Sequence, residues 1–321
     1  LPAAPTVLVD LTNPNLIRRA NFNNLSPEAT LSWRPTGDLT IYGSYKEGFL
    51  SGGFSALTPT AGVIAGTQQV TYDQQLTRGF EGGIKAALFD RALRLNLSAY
   101  SYRTTGLQVG VTTMGVQQEL RNAGSVRTKG VELDASYRTP IDGLTLNGAI
   151  SYNKGYYIDY QASCYRGQSS TTCFNQLSRV TGQVALLQDL SGQPLVRAPK
   201  WSGNAGFNYD APISSALKIG ISGNVTHSGK YYTDTTNTPG GIQKAYDMID
   251  ATFRLSDAND RWEIAFIGRN LTNEYYIVRS SDTPFTGSAP GAAVVGTLGD
   301  TAASVSRGRE LMLRLSYRFG N

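Results

Sequence analysis

Few side chains in this chain of 321 residues have the chemistry of a reactive site, and their spacing narrows what they could do. Cys164 and Cys173 are the two cysteines, and His227 is the single histidine. A metal site would want more ligands than these, and His227 lies on a different segment from the cysteines. In an oxidising compartment a disulfide closing the long polar stretch that holds Cys164 and Cys173 is the expectation, with free thiols as the alternative. The link would shorten the unfolded ensemble of that stretch and stiffen an Ω-like excursion. A hydrolytic centre needs a base beside a nucleophile. His227, in NVTHSGKYY, has no evident partner, so it reads as a residue where a strand ends and the chain as no enzyme. Gly52 and Gly53 in FLSGGF resemble a phosphate loop only superficially, because no Lys-Ser/Thr pair follows. No metal and no cofactor is expected.

The elements that would position such residues are strands. Residues 309–319 read RELMLRLSYRF, with Leu311, Leu313, Leu315, Tyr317 and Phe319 on one face and Met312, Arg314, Ser316 and Arg318 on the other. The same alternation returns after each of five tight polar turns: RPTGD (34–38), FDRA (89–92), TPIDG (139–143), DAPISS (210–215) and LSDAND (255–260). A strand arrives before each turn and another leaves it, and the terminal strand brings the count to about eleven. Longer stretches near 48–73, 106–122, 157–198, 230–243 and 277–303 read as loops at the opposite end.

Composition excludes other classes. Only 17% of residues are charged, Gly and Tyr are abundant, and the mean hydropathy is −0.25. No run approaches the roughly 18 apolar residues of a membrane-spanning helix. The net charge of +5 comes from basic residues scattered along strands without a long Lys/Arg run, which speaks against nucleic acid. Short turns at one end, long loops at the other, alternating strands and aromatics at strand ends together predict an all-β fold, a transmembrane antiparallel β-barrel. The physical reason is that backbone polar groups in lipid must all be paired, which only helices and closed barrels achieve. A soluble β-sandwich also alternates, but these segments are longer than ordinary strands and dense in charge on one face.

On this reading Leu93, Leu95, Leu97, Leu144, Leu146, Ile150, Leu217, Ile219, Ile221 and Val225 face lipid. Arg94, Asn96, Glu132, Asp134, Arg138, Asn147, Lys218, Asn224, Arg254, Glu263, Arg314 and Arg318 face the lumen. Trp33, Tyr42, Tyr45, Tyr137, Tyr156, Tyr157, Tyr209, Tyr275, Tyr276 and Tyr317 are the expected interface belt. Eleven strands would leave two open edges, and Leu1 opens mid-sequence, so residues 1–321 are expected to be one half of a larger barrel of about 22 strands.

The ordered segments SPEATLSWRPTGDLTIYGSYKEGFLSGGF (26–54), FEGGIKAALFDRALRLNLSAYSYRTTGLQV (80–109), NAGSVRTKGVELDASY (122–137), APKWSGNAGFNYD (198–210) and IGRNLTNEYY (267–276) resemble the C-terminal barrel region of TonB-dependent outer-membrane receptors. Gly308 stands where that family often has Pro, and two residues follow Phe319 where the family commonly ends on its aromatic. The resemblance implies the outer membrane of a Gram-negative bacterium, a plug domain that is not in this chain, and import of a scarce ligand such as a ferric siderophore. The implied partners are outer-membrane lipid, the TonB complex acting through the plug, and the barrel-assembly machinery reading Tyr317 and Phe319. Glu81 and Lys85 match the family's lumen-facing E-x-G-x-K and read as a charge ladder against neighbouring strands or the plug. Ligand contact would come from loop aromatics and cations at the mouth: Phe49, Phe54, Tyr165, Arg166, Phe174, Arg179, Tyr231 and Phe285. The alternative from another class is a passive porin or structural barrel without a plug.

Overall fold

The computed structural model describes residues 19–54, 71–113, 117–165, 168–169, 171–177, 184–283 and 300–319. Eleven strands form one sheet: β1 (Glu28–Thr36), β2 (Leu39–Leu50), β3 (Gln75–Leu88), β4 (Leu93–Thr113), β5 (Gln117–Arg138), β6 (Leu144–Asp159), β7 (Trp201–Pro212), β8 (Leu217–Ser228), β9 (Tyr246–Asp257), β10 (Trp262–Arg269) and β11 (Glu310–Tyr317). Each pairs antiparallel with its sequence neighbour, so the sheet is an uninterrupted meander with β1 and β11 at its edges. All five polar turns read from the sequence join strands at one end. In the FDRA turn Phe89, Asp90 and Arg91 take φ of 53°, 51° and 63°, and Arg91 Nε donates to Asp38 Oδ1 of the adjacent turn at 2.7 Å.

The register keeps one parity on each face, apart from shifts at Trp33–Thr36 in β1 and at Ser125–Val126 in β5. Lys85 lies opposite Asn96, Asn96 opposite Asp134, and Asp134 opposite Ala149, and the row, polar in most of its members, continues through Asn204, Thr226 and Met248. On the other face Leu97, Leu146, Ile150, Phe207, Val225, Phe253, Phe266 and Leu313 are all exposed. A soluble sheet would not leave such a face uncovered; a barrel turns it to lipid and turns the polar face inward. The residues read as lipid-facing and as lumen-facing fall on these two faces, Arg318 lying one position past β11.

Three expectations are corrected. Residues 106–122 are not a loop: β4 continues to Thr113 and β5 begins at Gln117, and the two strands pair from Leu107–Ala123 out to Thr113–Gln117. Between the Thr105–Ser125 and Leu107–Ala123 pairs the register is unchanged, but Gly106 and Gly124 take φ of +65° and +35°, and this break in the extended backbone made one long strand look like two segments. Phe49 lies inside β2 on the outer face, directly opposite Leu76, and not in a loop. Tyr42 and Tyr157 leave the belt for the inner face, where Tyr42 reaches a carboxylate and Tyr157 is buried. Trp33, Tyr137, Tyr209 and Tyr317 remain at the turn end of the outer face, and Tyr45 and Tyr156 at its other end.

The loop end carries smaller sheets. Gln161–Ser163, Val184–Asp189 and Phe174–Leu177 form a three-stranded sheet, with Val184–Asp189 in the middle. Ile277–Thr283 pairs with Asp300–Val305, Tyr231–Tyr232 with Ile242–Gln243, and Gly53–Phe54 with Thr71–Tyr72.

Candidate functional site

The inner face and the mouth above it are where a ligand would meet this chain. On the inner face Glu81 of β3 organises its neighbours: Tyr42 donates to Oε1 at 2.9 Å, Tyr102 to Oε2 at 3.0 Å, and Lys46 Nζ lies 3.5 Å from Oε2. Lys85 does not reach Glu81 directly; its Nζ sits 5.7 Å from the Tyr42 ring centroid, a cation–π contact. Farther round, Asn96 Nδ2 donates to Asp134 at 2.7 Å and the Ser151 hydroxyl to Glu132 at 3.4 Å. Arg254 pairs with Asp210 at 2.6 Å, Lys218 with Asp260 at 2.7 Å, and Arg314 with Glu263 at 2.7 Å. Asp210 and Arg254 belong to strands separated by β8, and their bridge passes over Gly220, where a Cβ would lie 2.7 Å from both Arg254 Nε and Asp210 Oδ1. Arg94 and Arg138 stand at the turn end of the same face.

At the mouth the inner face changes character. Val126 and Tyr157, on the loop-end part of β5 and β6, pack with Tyr160, Ala162 and Leu190 into a buried apolar cluster, with Leu107, Val109 and Leu195 against it. Tyr160, Ala162, Leu190 and Leu195 are thereby anchored on the strands that carry them. Cys164 and Cys173 are joined by a disulfide, with Cα atoms 5.8 Å apart, beside the three-stranded sheet. Gln188, buried, donates through Nε2 to Ser163 O and to Thr236 O, each at 2.9 Å, which ties this excursion to the next one. That one is tied onward: the Thr233 hydroxyl bonds Ser280 and Gly241 O, Tyr231 donates to Ile277 O at 3.0 Å, and the Ile277 amide donates to Gln243 Oε1 at 2.7 Å. Burial pushes the Tyr231 phenol above its ordinary pKa. Three excursions therefore form one cross-tied platform.

Of the expected mouth contacts, Phe54 is exposed and Tyr165 half-buried, and Tyr231 is committed to packing its loop. Arg166, Arg179 and Phe285 lie outside the described residues, and Phe174 is described in its backbone alone. His227 lies near the end of β8 on the outer face, its Nδ1 2.8 Å from Asp247 Oδ1.

Two asparagines have a role that their sequence segments did not disclose. Asn122, of the NAG segment, donates to Asp73 O and Gly106 O and accepts from the Asp73 amide, joining the loop ends of β3, β4 and β5. Asn270, of GRNLTNEYY, takes φ of 49°, donates to Glu274 O and Arg307 O, and accepts the Glu274 amide. Each locks a strand end to a neighbour. An Asn that opens a turn tolerates left-handed backbone and bonds nearby peptides, which is the signal in the sequence that could have found Asn270; Asn122 lies within β5 and carries no such signal.

The family described as TonB dependent receptor-like, beta-barrel matches residues 9–271. Among solved structures, the chain is similar to the ferric yersiniabactin uptake receptor FyuA from Yersinia pestis, at 16% identity and a TM-score of 0.62, covering 88% of this chain and 35% of that one. It is also similar to the siderophore receptor PiuA from Acinetobacter baumannii, at 18% identity and a TM-score of 0.60, covering 91% and 35%. A third is BauA, the ferric preacinetobactin receptor of Acinetobacter baumannii, at 18% identity and a TM-score of 0.57, covering 91% and 36%. The chain thus spans about a third of the length of these proteins. With its two-faced eleven-stranded meander, it belongs to the TonB-dependent receptor-like β-barrel family, a family of Gram-negative outer-membrane transporters and not of enzymes.

Proposed function

We propose that this chain is the C-terminal half of a barrel of about 22 strands whose protein imports a scarce ligand, a ferric siderophore or another iron complex. One observation supports this reading above the others: the meander ends in two sheet edges, β1 and β11, while its outer face exposes apolar side chains from strand to strand. An unpaired edge is costly in a bilayer, so further strands must close the barrel. A barrel of that size encloses a lumen wide enough for a plug, and the charged inner face gives a plug polar partners. Binding takes place at the loop platform, the plug rearranges under energy delivered by TonB, and the ligand passes along the polar face. Phe54 and Tyr165, with Arg166, Phe174, Arg179 and Phe285, are the proposed contacts at the mouth. Tyr317 and the exposed Phe319, whose rings lie 4.9 Å apart, form the strand end that the assembly machinery reads.

The test is growth of a deletion strain under iron limitation on a panel of catecholate, hydroxamate and carboxylate iron chelates. Loss of growth on one chelate class, restored by the gene, is the expected result. Unchanged growth on every chelate would exclude an iron complex as the ligand.

A further inference from the structure

One buried side-chain amide stands where two of the mouth excursions meet. Gln188, 5% exposed, lies on the middle strand of the small sheet beside the disulfide. Its Nε2 donates to Ser163 O and to Thr236 O, and its Oε1 accepts from Gln168 Nε2 at 3.2 Å, its one donor among the described residues. Gln168 lies inside the ring that Cys164 and Cys173 close, and Ser163 is the residue before Cys164. Two of the three groups that hold Gln188 therefore belong to the ring or to its root. The third, Thr236 O, belongs to the next excursion.

Gln168 is itself placed by the ring. Its Oε1 accepts the Tyr165 amide at 3.1 Å, its Nε2 also lies 3.3 Å from Thr172 O, and the Cys173 amide donates to Ser169 O at 2.8 Å. The Gln188 amide has one workable orientation. Turning it over would set Oε1 against two carbonyl oxygens and Nε2 against the Gln168 donor. Such a mismatch in a buried position is costly.

Beyond Gln188 the contacts continue. Thr236 donates through its amide and its hydroxyl to Asp234 Oδ1, at 2.7 and 2.6 Å. Asp234 is buried, its Oδ2 lies 3.5 Å from the Ser280 hydroxyl, and a Cβ on Gly241 would collide with that oxygen. Ser280 belongs to the third excursion, on the strand Ile277–Thr283, and is buried beside Thr233. A polar path thus runs from the ring through Gln188 and Asp234 to Ser280. Two further ties bypass the ring: the Arg197 amide on Tyr232 O at 2.8 Å and Asn237 Nδ2 on Pro194 O at 3.2 Å. Opening the ring would therefore loosen the second excursion without detaching it.

Coupling along such a path needs an element with two discrete arrangements, and the disulfide is one. Cys164 and Cys173 are half-buried, and Ser169, Thr171 and Thr172 of the ring are exposed, so a small thiol can approach it. We propose that the Cys164–Cys173 disulfide is a redox-sensitive clamp on the mouth, with Gln188 as the positioning residue through which it acts. A soluble dithiol supplies two electrons and two protons, the S–S bond becomes two cysteine thiols, and the reductant leaves as its own disulfide. Gln168 then parts from Gln188, and the hold on Thr236 weakens. That the clamp serves ligand capture rests on the reading of this end as the ligand mouth; the relay itself does not.

The experiment uses the whole receptor in nanodiscs, without ligand. Amide exchange is read by mass spectrometry before and after dithiothreitol, and alkylation counts the opened thiols. In wild type, opening the disulfide raises exchange across residues 234–243 about threefold or more, while residues 194–200 and β7 stay as they were. Cys164→Ser combined with Cys173→Ser reproduces the rise and no longer responds to the thiol. Gln188→Leu shows the rise with the disulfide intact, and dithiothreitol adds nothing at 234–243. Gln168→Ala, on the ring, makes the same test should Gln188→Leu fail to fold, which heat-modifiable migration on gels reports. A further rise on reduction in these glutamine variants, equal to that of wild type, overturns the relay, as does wild-type exchange at 234–243 that ignores the open ring. A disulfide that dithiothreitol cannot open in the folded receptor overturns the switch. No iron complex takes part, so the growth panel can fail while the clamp stands, and the clamp can fail while the growth panel stands.

Discussion

Tyr42 and Glu81 stand on adjacent strands 39 positions apart, and the Tyr42 hydroxyl donates to Glu81 Oε1 at 2.9 Å. Tyr102 and Lys46 complete the shell around the same carboxylate. Hydrogen bonds to a charged group contribute about 1.5–3 kcal/mol each. Tyr42→Phe should therefore lower the unfolding free energy of the lipid-embedded barrel by about 1–2 kcal/mol, and Glu81→Ala by somewhat more. Denaturant titration of folded and unfolded gel bands measures this. Equal stability of both variants and wild type would show that the cluster is held by its strands alone.

The Arg254–Asp210 bridge is partly exposed, so the ion pair itself contributes at most about 1 kcal/mol. Asp210→Asn should cost that little. Gly220→Val should cost about 1–3 kcal/mol, because its side chain would occupy the space through which the two partners meet. The same denaturant titration separates the two, and a harmless Gly220→Val would mean that the bridge can detour freely.

The disulfide closes a loop with a sequence separation of 9, for which the chain-entropy estimate is about 2–3 kcal/mol. Non-reducing peptide mapping should recover Cys164 linked to Cys173. Replacing both by Ser should raise amide exchange across residues 161–189 and leave β1–β11 unchanged. Two alkylatable thiols in native protein would contradict the link, and unchanged exchange would show that Gln188 and the apolar cluster suffice without it.

In the turn between β9 and β10, Arg261 donates to Asp257 at 2.7 Å and holds its carboxyl below the ordinary value of 3.8. A carboxylate with a depressed folded-state pKa stabilises the fold above its unfolded value and loses that contribution as pH falls through the folded one. Wild type should therefore lose stability relative to Arg261→Gln only below about pH 4. A difference between the two that is constant from pH 7 to pH 3 would show that this pairing is not what sets it.

The meander was legible because a strand with one face in lipid must alternate strictly. A single pattern from Leu93–Leu97 to Leu311–Leu315 repeats with polar turns at fixed places. The inner face followed from the same parity, down to Asp134 and Arg314. What escaped is what period two does not govern. Gly106 and Gly124, with positive φ on facing strands, break the extended backbone without shifting the ladder and disguised the outer half of the β4–β5 hairpin. Tyr42 and Tyr157 share the chemistry of belt aromatics, but each has the inner-face parity of its strand, with Lys46 and with Asn147, and there they meet Glu81 and Leu190. The knots at Asn122 and Asn270 and the tie from Gln188 to Thr236 join positions far apart in sequence through backbone carbonyls, which no local pattern records.

The central claim is energy-coupled import, and uptake of an iron-55-loaded chelate, chosen from the growth panel, tests it most directly. Uptake is compared in the same strain with and without TonB, with this receptor as the only route for that chelate. The account predicts saturable uptake that vanishes without TonB while the receptor remains folded in the outer membrane. Uptake that persists without TonB and rises linearly with chelate concentration would make the barrel a passive pore.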